Sequence, residues 1–301
     1  MDDSSVPSRT EAKRLGPATA FSLLGDPLRL DIIRVLFEAG RSNPVPFSEL
    51  YEAVDVGDTG RFNYHRDNLV PHYIRKTDDG YLLTEVGKRV ARAVNAGAYT
   101  ESPELEEFDV RGECYACGIA NLKGEYVGER FRIDCQGCGN RVLNVGVPPS
   151  IVRKRDPRKF VNAFEYWARA QVEQASNGLC PECGGSVDPG VSTATRDTFD
   201  TKYQAVFDCV VCDRRIVTSV GSLAFQHEAI EQFFRDRNDA LTERPYWAVK
   251  QIMTDEYTQL CTDSLVRIRV TFRASGDTCH IEFDDNLTVV DLTVESNENR
   301  A

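Results

Sequence analysis

Eight cysteines set as four Cys-x-x-Cys pairs restrict this chain more than any other feature of its 301 residues. The pairs are Cys114 with Cys117, Cys135 with Cys138, Cys180 with Cys183 and Cys209 with Cys212. A two-residue gap lets both thiolates of one tight turn reach a single ion at about 2.3 Å. Seventeen residues separate the first two pairs and 25 the last two. Glycine follows the second cysteine at positions 118, 139 and 184, where the backbone must turn back under the metal with positive φ. Asp213 takes that place in the fourth pair, and Asp enters the left-handed region more readily than most residues. Strand-like stretches over 129–134 and 202–208 run straight into the second turn of each set. The pattern predicts two zinc ribbons, each a hairpin in which metal replaces a core too small to hold itself together. The expected cofactor is two structural Zn2+, each closed by four thiolates with no position left for water. A redox dithiol of thioredoxin type competes with this reading, but it calls for a single pair in a βαβ setting.

Reduced thiols imply a cytoplasmic protein, and two further features agree. No run of 18 apolar residues is present, so no membrane-spanning helix is expected. Residues 1–14 lack the apolar core of a secretory leader. The net charge is −11, unevenly spread: the first 98 residues hold 13 basic and 14 acidic side chains, the rest 23 and 33. The acidic part would be repelled by phosphates, so any nucleic-acid contact belongs to the first hundred residues. Only eight of the 36 basic residues are Lys. An acidic, Lys-poor surface of this kind is similar to that of haloarchaeal cytoplasmic proteins.

The N-terminal part carries a run of local signals. Asp26-Pro27 reads as a helix start with Pro at its first position, and Leu28, Ile32, Val35 and Ala39 as its buried stripe. A two-turn helix follows over 48–54. A glycine turn at 55–60 then leads into a third helix over 61–70, in the order of a helix-turn-helix. With Phe62 and Leu69 inward, Arg61, Asn63, Tyr64 and Asn68 lie outward; Arg and Asn suit bidentate base contacts. Residues 73–83 predict a hairpin turning at Asp79-Gly80, a wing with Arg75 and Lys76 placed for phosphates. Thr84 caps a last helix with Val86, Val90 and Val94 at helical spacing. His65 reads as a packed helix residue.

Three stretches of this part, Ala20-Phe-Ser-Leu-Leu-Gly-Asp-Pro-Leu-Arg-Leu-Asp-Ile-Ile33, Gly60-Arg-Phe-Asn-Tyr-His65 and Gly80-Tyr-Leu-Leu-Thr84, resemble the ArsR-type winged helix-turn-helix regulators of haloarchaea. The resemblance covers residues 18–96. It implies a transcriptional regulator whose third helix enters the major groove of double-stranded DNA, often as a homodimer. No cysteine or paired histidine lies in this part, so the heavy-metal sensing of some members is not implied.

Beyond an acidic stretch over 98–109, each ribbon precedes an amphipathic helix. Asp156-Pro157 starts one carrying Phe160, Phe164, Trp167 and Gln171; Ser222 starts the other, with Ala229, Ile230, Phe233 and Phe234. Ribbon plus helix thus occurs twice, which suggests an internal duplication; the aromatic stripes read as the core that packs each helix on its ribbon, with a ligand pocket between the two units as the alternative. Alternation over 266–272 and 278–283, with turns at 275–277 and 284–286, predicts a C-terminal meander. Its Cys279 shares a face with Ile281 and Phe283 and reads as a small buried hydrophobe.

Together these readings give an α+β chain. They place a winged helix-turn-helix domain over 1–97 and an acidic linker over 98–109. A zinc ribbon plus helix follows over 110–177 and again over 178–240, and an antiparallel β-meander closes the chain over 241–301. No catalytic constellation is evident, and four histidines give little general-base capacity. The function expected is a DNA-binding transcriptional regulator contacting DNA through residues 48–83, its zinc ribbons serving regulation or oligomerisation. The alternative is a basal-transcription adaptor, similar to archaeal transcription factor E, that binds protein more than specific DNA.

Overall fold

A computed structural model describes residues 15–40, 43–193, 201–262 and 266–296, so the leader reading of residues 1–14 lies outside it. The chain divides into two compact units, Met1–Glu101 and Ser102–Ala301. Both mix helices with antiparallel strands.

The N-terminal unit runs α1 (Pro17–Leu24), α2 (Pro27–Glu38), α3 (Phe47–Val54), α4 (Thr59–Leu69), β1 (Ile74–Thr77), β2 (Gly80–Leu83) and α5 (Glu85–Asn95). Side-chain caps fix three helix starts. Asp26 accepts from the Leu28 amide, Asp58 from Gly60 and Arg61, and Thr84 from Gly87, each satisfying amides the helix leaves unpaired. The core gathers Ile32, Ile33 and Leu36 of α2, Leu50 of α3, Phe62 and Leu69 of α4, and Ile74, Tyr81 and Leu83 of the hairpin. Phe62 meets Phe47 and Tyr51 edge-on, both at 5.4 Å.

Helix α1 had no sequence signal of its own; the Tyr73 hydroxyl ties it down by donating to the Ala20 carbonyl at 2.8 Å. The stripe of α2 shifts from expectation. Ile33 and Leu36 are buried beside Leu28 and Ile32, while Ala39 is exposed. The hairpin loop is Asp78-Asp79, since Thr77 pairs with Gly80. On α5, Val86 and Val94 face outward and Gly87 and Ala91 are buried. Packing distance explains the reversal: a β-carbon at Gly87 would stand 2.0 Å from the Tyr73 carbonyl oxygen. The helix comes that close only on its small-residue face.

The C-terminal unit opens with a sheet of β3 (Leu105–Val110), β4 (Leu122–Val127), β5 (Arg130–Cys135) and β6 (Arg141–Gly146), in sequence order. Strand β3 corrects the expected linker over 98–109. Although Glu104, Glu106, Glu107 and Asp109 make it acidic, Leu105, Phe108 and Val110 pack against the core, and a register shift between Leu105 and Phe108 hides the alternation. A short helix α6 (Pro149–Val152) leads to α7 (Pro157–Ser176), capped by Asp156. Phe160 and Phe164 of α7 sit 4.8 and 4.9 Å from the Phe131 ring, and Phe108 lies 6.2 Å from it and 6.3 Å from Phe160.

A three-stranded sheet follows: β7 (Val187–Ser192), β8 (Gln204–Cys209) and β9 (Arg215–Ser219). The single helix expected after it is two, α8 (Val220–Phe225) and α9 (Glu228–Arg235). The break falls where the His227 ring nitrogen accepts from the Ala229 amide at 3.3 Å and starts a new helix. Two 3-10 turns and α10 (Lys250–Met253) lead to a sheet of β10 (Thr258–Thr262), β11 (Val266–Ala274), β12 (Asp277–Phe283) and β13 (Val289–Glu295). Strand β10 is an addition to the expected meander; Cys279 is buried on β12 as its pattern implies.

Three expected domains over 110–301 prove to be one, because a continuous core runs from Val110 to Leu287. Glu165 of α7 knots it polar-side. Its buried carboxylate accepts from Arg111 at 2.9 Å, Arg169 at 3.3 Å and the Tyr246 amide at 3.3 Å, and the Trp247 indole donates to the Arg111 carbonyl at 3.0 Å. Among the described residues no helix is long and apolar enough to cross a membrane.

Candidate metal centres

The β3–β6 and β7–β9 sheets each carry two cysteine turns at one end, built by the same local rule. The Cys114 amide donates to the Ile119 carbonyl at 3.0 Å, Cys135 to Asn140 at 2.9 Å, Cys180 to Gly185 at 2.7 Å and Cys209 to Arg214 at 2.9 Å. Closing a loop of that size forces a left-handed residue after the second cysteine, and Gly118, Gly139, Gly184 and Asp213 have φ of 73°, 74°, 74° and 59°. The strands then bring the turns together in pairs. Leu122 pairs with Cys135 in the first sheet, and Val187 with Cys209 in the second.

The result is two groups of four sulfurs, Cys114, Cys117, Cys135 and Cys138, and Cys180, Cys183, Cys209 and Cys212, each within 4.8 Å of one another. Cross-turn separations are 3.9 and 3.7 Å in the first group and 3.7 and 3.5 Å in the second. Four sulfurs held tetrahedrally at about 2.3 Å from one ion lie about 3.8 Å apart. Both groups therefore have the size of a tetrathiolate site for a metal ion such as zinc. None of the eight thiols is in a disulfide. In each turn the first cysteine is buried and the second exposed, which seats the centre at the surface with its inner half under protein.

Amides prepare these sulfurs for charge. Gly137 donates to Cys135 Sγ at 3.3 Å, Gly185 to Cys183 at 3.3 Å and Val211 to Cys209 at 3.4 Å. Burial opposes ionisation of Cys135, yet the Cys138 and Gly137 amides bring it down to about 7. The Cys212 amide, with Val211, does the same for Cys209, again to about 7. In each site one sulfur thus has surroundings that favour its thiolate. Metal binding must displace the remaining protons, so affinity falls with acid.

A matched ion pair flanks each centre that cysteine spacing alone did not reveal. Arg141 Nε binds Asp134 Oδ1 at 2.9 Å, and Arg215 binds Asp208 in the same way across the second sheet. Asp precedes the third cysteine and Arg follows its turn in both copies, a signal the sequence did hold. The shared pair, turns and register support the internal duplication.

The DNA-contact candidates fall elsewhere, in the N-terminal unit. On α4, Arg61 and Tyr64 are exposed, Asn63 and Asn68 half-buried, and Phe62, His65 and Leu69 buried. Asn68 spends its amide nitrogen on the Tyr64 carbonyl at 2.7 Å. Arg75 and Lys76 are exposed on β1. Asp26 approaches the buried His65 ring at 3.4 Å.

No curated protein matches the chain. Residues 17–94 match a family model described as a domain of unknown function, DUF7347, inside the N-terminal unit. Residues 111–289, more than half of the chain and including both cysteine centres, match another, and by that match the protein belongs to the family described as domain of unknown function DUF7351.

Proposed function

We propose that the chain is a cytoplasmic DNA-binding transcriptional regulator. Its N-terminal unit acts as a winged helix, and its C-terminal unit is a regulatory or oligomerisation region built on two structural zinc ions. One observation carries the reading: Arg61 on α4 and Arg75 and Lys76 on the hairpin are exposed and have no carboxylate partner among the described residues. Arg66, by contrast, is spent within the unit, paired with Asp67 at 2.7 Å and resting over the Phe47 and Tyr81 rings. Free cations on one helix and the adjoining hairpin suit a groove with its flanking phosphates. Arg61 and Asn63 are the base-reading candidates, and Asn68, already bonded to its own helix, reads less. Closed tetrathiolate centres suit zinc as a structural ion.

Chromatin immunoprecipitation in the native host followed by footprinting tests this. The chain carrying Arg61→Ala and Asn63→Ala is expected to lose specific protection while keeping its fold and metal. Unchanged footprints would sink the role of α4. Arg75→Ala with Lys76→Ala should weaken binding alike on all sequences and reduce the salt slope by about 2.

The near balance of 13 basic and 14 acidic residues in the first 98 favours a second reading, a basal-transcription adaptor. It predicts co-purification with RNA polymerase and no retention on specific promoters.

A further inference from the structure

Between the two ribbon repeats of the C-terminal unit lies a cavity of about 310 Å3, the size of a small-molecule site. Its apolar wall combines four aromatic residues, Phe164 and Trp167 of α7, Phe225 of α8 and Tyr246, with aliphatic ones such as Val172 and Ile252. Four arginines, Arg130, Arg169, Arg214 and Arg215, join neutral polar residues in the lining, and no Asp or Glu does. That inverts the surroundings, since acidic residues outnumber basic ones 33 to 23 beyond residue 98.

Two of the four charges are already balanced, Arg169 by Glu165 at 3.3 Å and Arg215 by Asp208. Two are not. Arg130 is held by neutral acceptors, Asn144 Oδ1 at 2.7 Å and the Asn144 carbonyl at 2.9 Å, which fix its guanidinium without cancelling it. Arg214 is exposed and has no carboxylate partner among the described residues. An uncompensated guanidinium beside an apolar wall favours an anion with an apolar body, because the wall lowers the local dielectric and strengthens the attraction. The planar guanidinium fork matches a carboxylate, and aromatic walls favour a ring over an alkyl chain.

We propose that this cavity binds a small aromatic carboxylate, its ring against Trp167 and Phe225 and its charge met by Arg130 and Arg214. The site stands whether or not the N-terminal unit reads DNA, because its test measures binding alone.

The metal-loaded full chain would be titrated with phenylacetate, indole-3-acetate and salicylate by calorimetry, with tryptophan fluorescence as a second signal for phenylacetate. Saturable binding of at least one is expected, and its neutral amide should bind at least about tenfold more weakly, the worth of one charge-assisted hydrogen bond. Arg214→Gln should weaken binding about tenfold, and its exposed side chain can be changed without opening the core. Ala168→Phe, which fills the cavity, should abolish binding while the chain keeps two metal ions and its circular dichroism. Absence of saturable binding by all three acids, equal affinity for acid and amide, or unchanged binding by Ala168→Phe would each overturn the proposal.

Discussion

The two ribbons share their chemistry and differ in what surrounds it. Both close two cysteine turns with the same amide-to-carbonyl bond, both pair a strand residue opposite the third cysteine, and both carry the Asp–Arg pair beside it. The first has four strands and a 20-residue helix laid over its aromatic face. Its β4–β5 turn is only Gly128-Glu129, both left-handed at φ 59°. The second has three strands and a helix broken at His227. Metal geometry depends on a few residues in each turn, so it survives while strands and helices diverge. The same difference implies that the sheets would lean unequally on a metal held at each centre.

Removing the metals one at a time should show the largest effect. Structural zinc supplies about 10–16 kcal/mol in isolated fingers, as much as the whole stability of many domains. Cys209→Ser with Cys212→Ser is expected to halve the bound metal and erase hydrogen-exchange protection across β7–β9. Cys135→Ser with Cys138→Ser should also halve the metal, yet leave β4–β6 partly protected, because Phe131 remains packed among Phe108, Phe160 and Phe164. Equal loss of protection in the two sheets would break the comparison.

A smaller effect sharpens it. Phe131→Ala should cost about 4–5 kcal/mol by urea unfolding, near the top of the range for a buried ring. Phe207, buried on β8, has no aromatic neighbour among the described residues, and Phe207→Ala should cost about 3 kcal/mol. The gap reflects ring pairs worth about 0.5–1.5 kcal/mol each beyond their area. Equal costs would mean that the aromatic cluster adds nothing to the first ribbon beyond buried surface.

What the sequence revealed follows the reach of each interaction. The caps Asp26, Thr84 and Asp156 are legible because their partners lie within a few residues, and the cysteines because each two-residue pair is a local signal repeated four times. Strand β3 escaped because its core contacts, Phe131 and Phe160, are 23 and 52 positions from Phe108 while its near neighbours are acidic. Helix α5 misled for the opposite reason: valines at helical spacing look like a core face, but backbone proximity selects glycine and alanine. The cavity arginines, drawn from β5, α7, the turn before β9 and β9 itself, converge only in the folded unit.

The smallest expected effect lies at the one turn residue that differs. Asp213 holds φ 59° where the other three turns have glycine. A left-handed L-residue costs about 1–2 kcal/mol, less for Asp, whereas glycine gives back about 0.4–1 kcal/mol through the freer unfolded chain. These terms nearly cancel, so Asp213→Gly should change stability by less than about 1 kcal/mol, read as a slightly slower loss of metal to a chelator. Gly139→Asp, the reverse change in the first ribbon, should speed loss by a comparable factor. Suppose both substitutions leave the relative release rates of the two sites where they began. The inequality between the sites would then lie in the sheets behind the turns, with the aromatic cluster of the first ribbon as its source. A reversal of those rates would place it in the turns themselves.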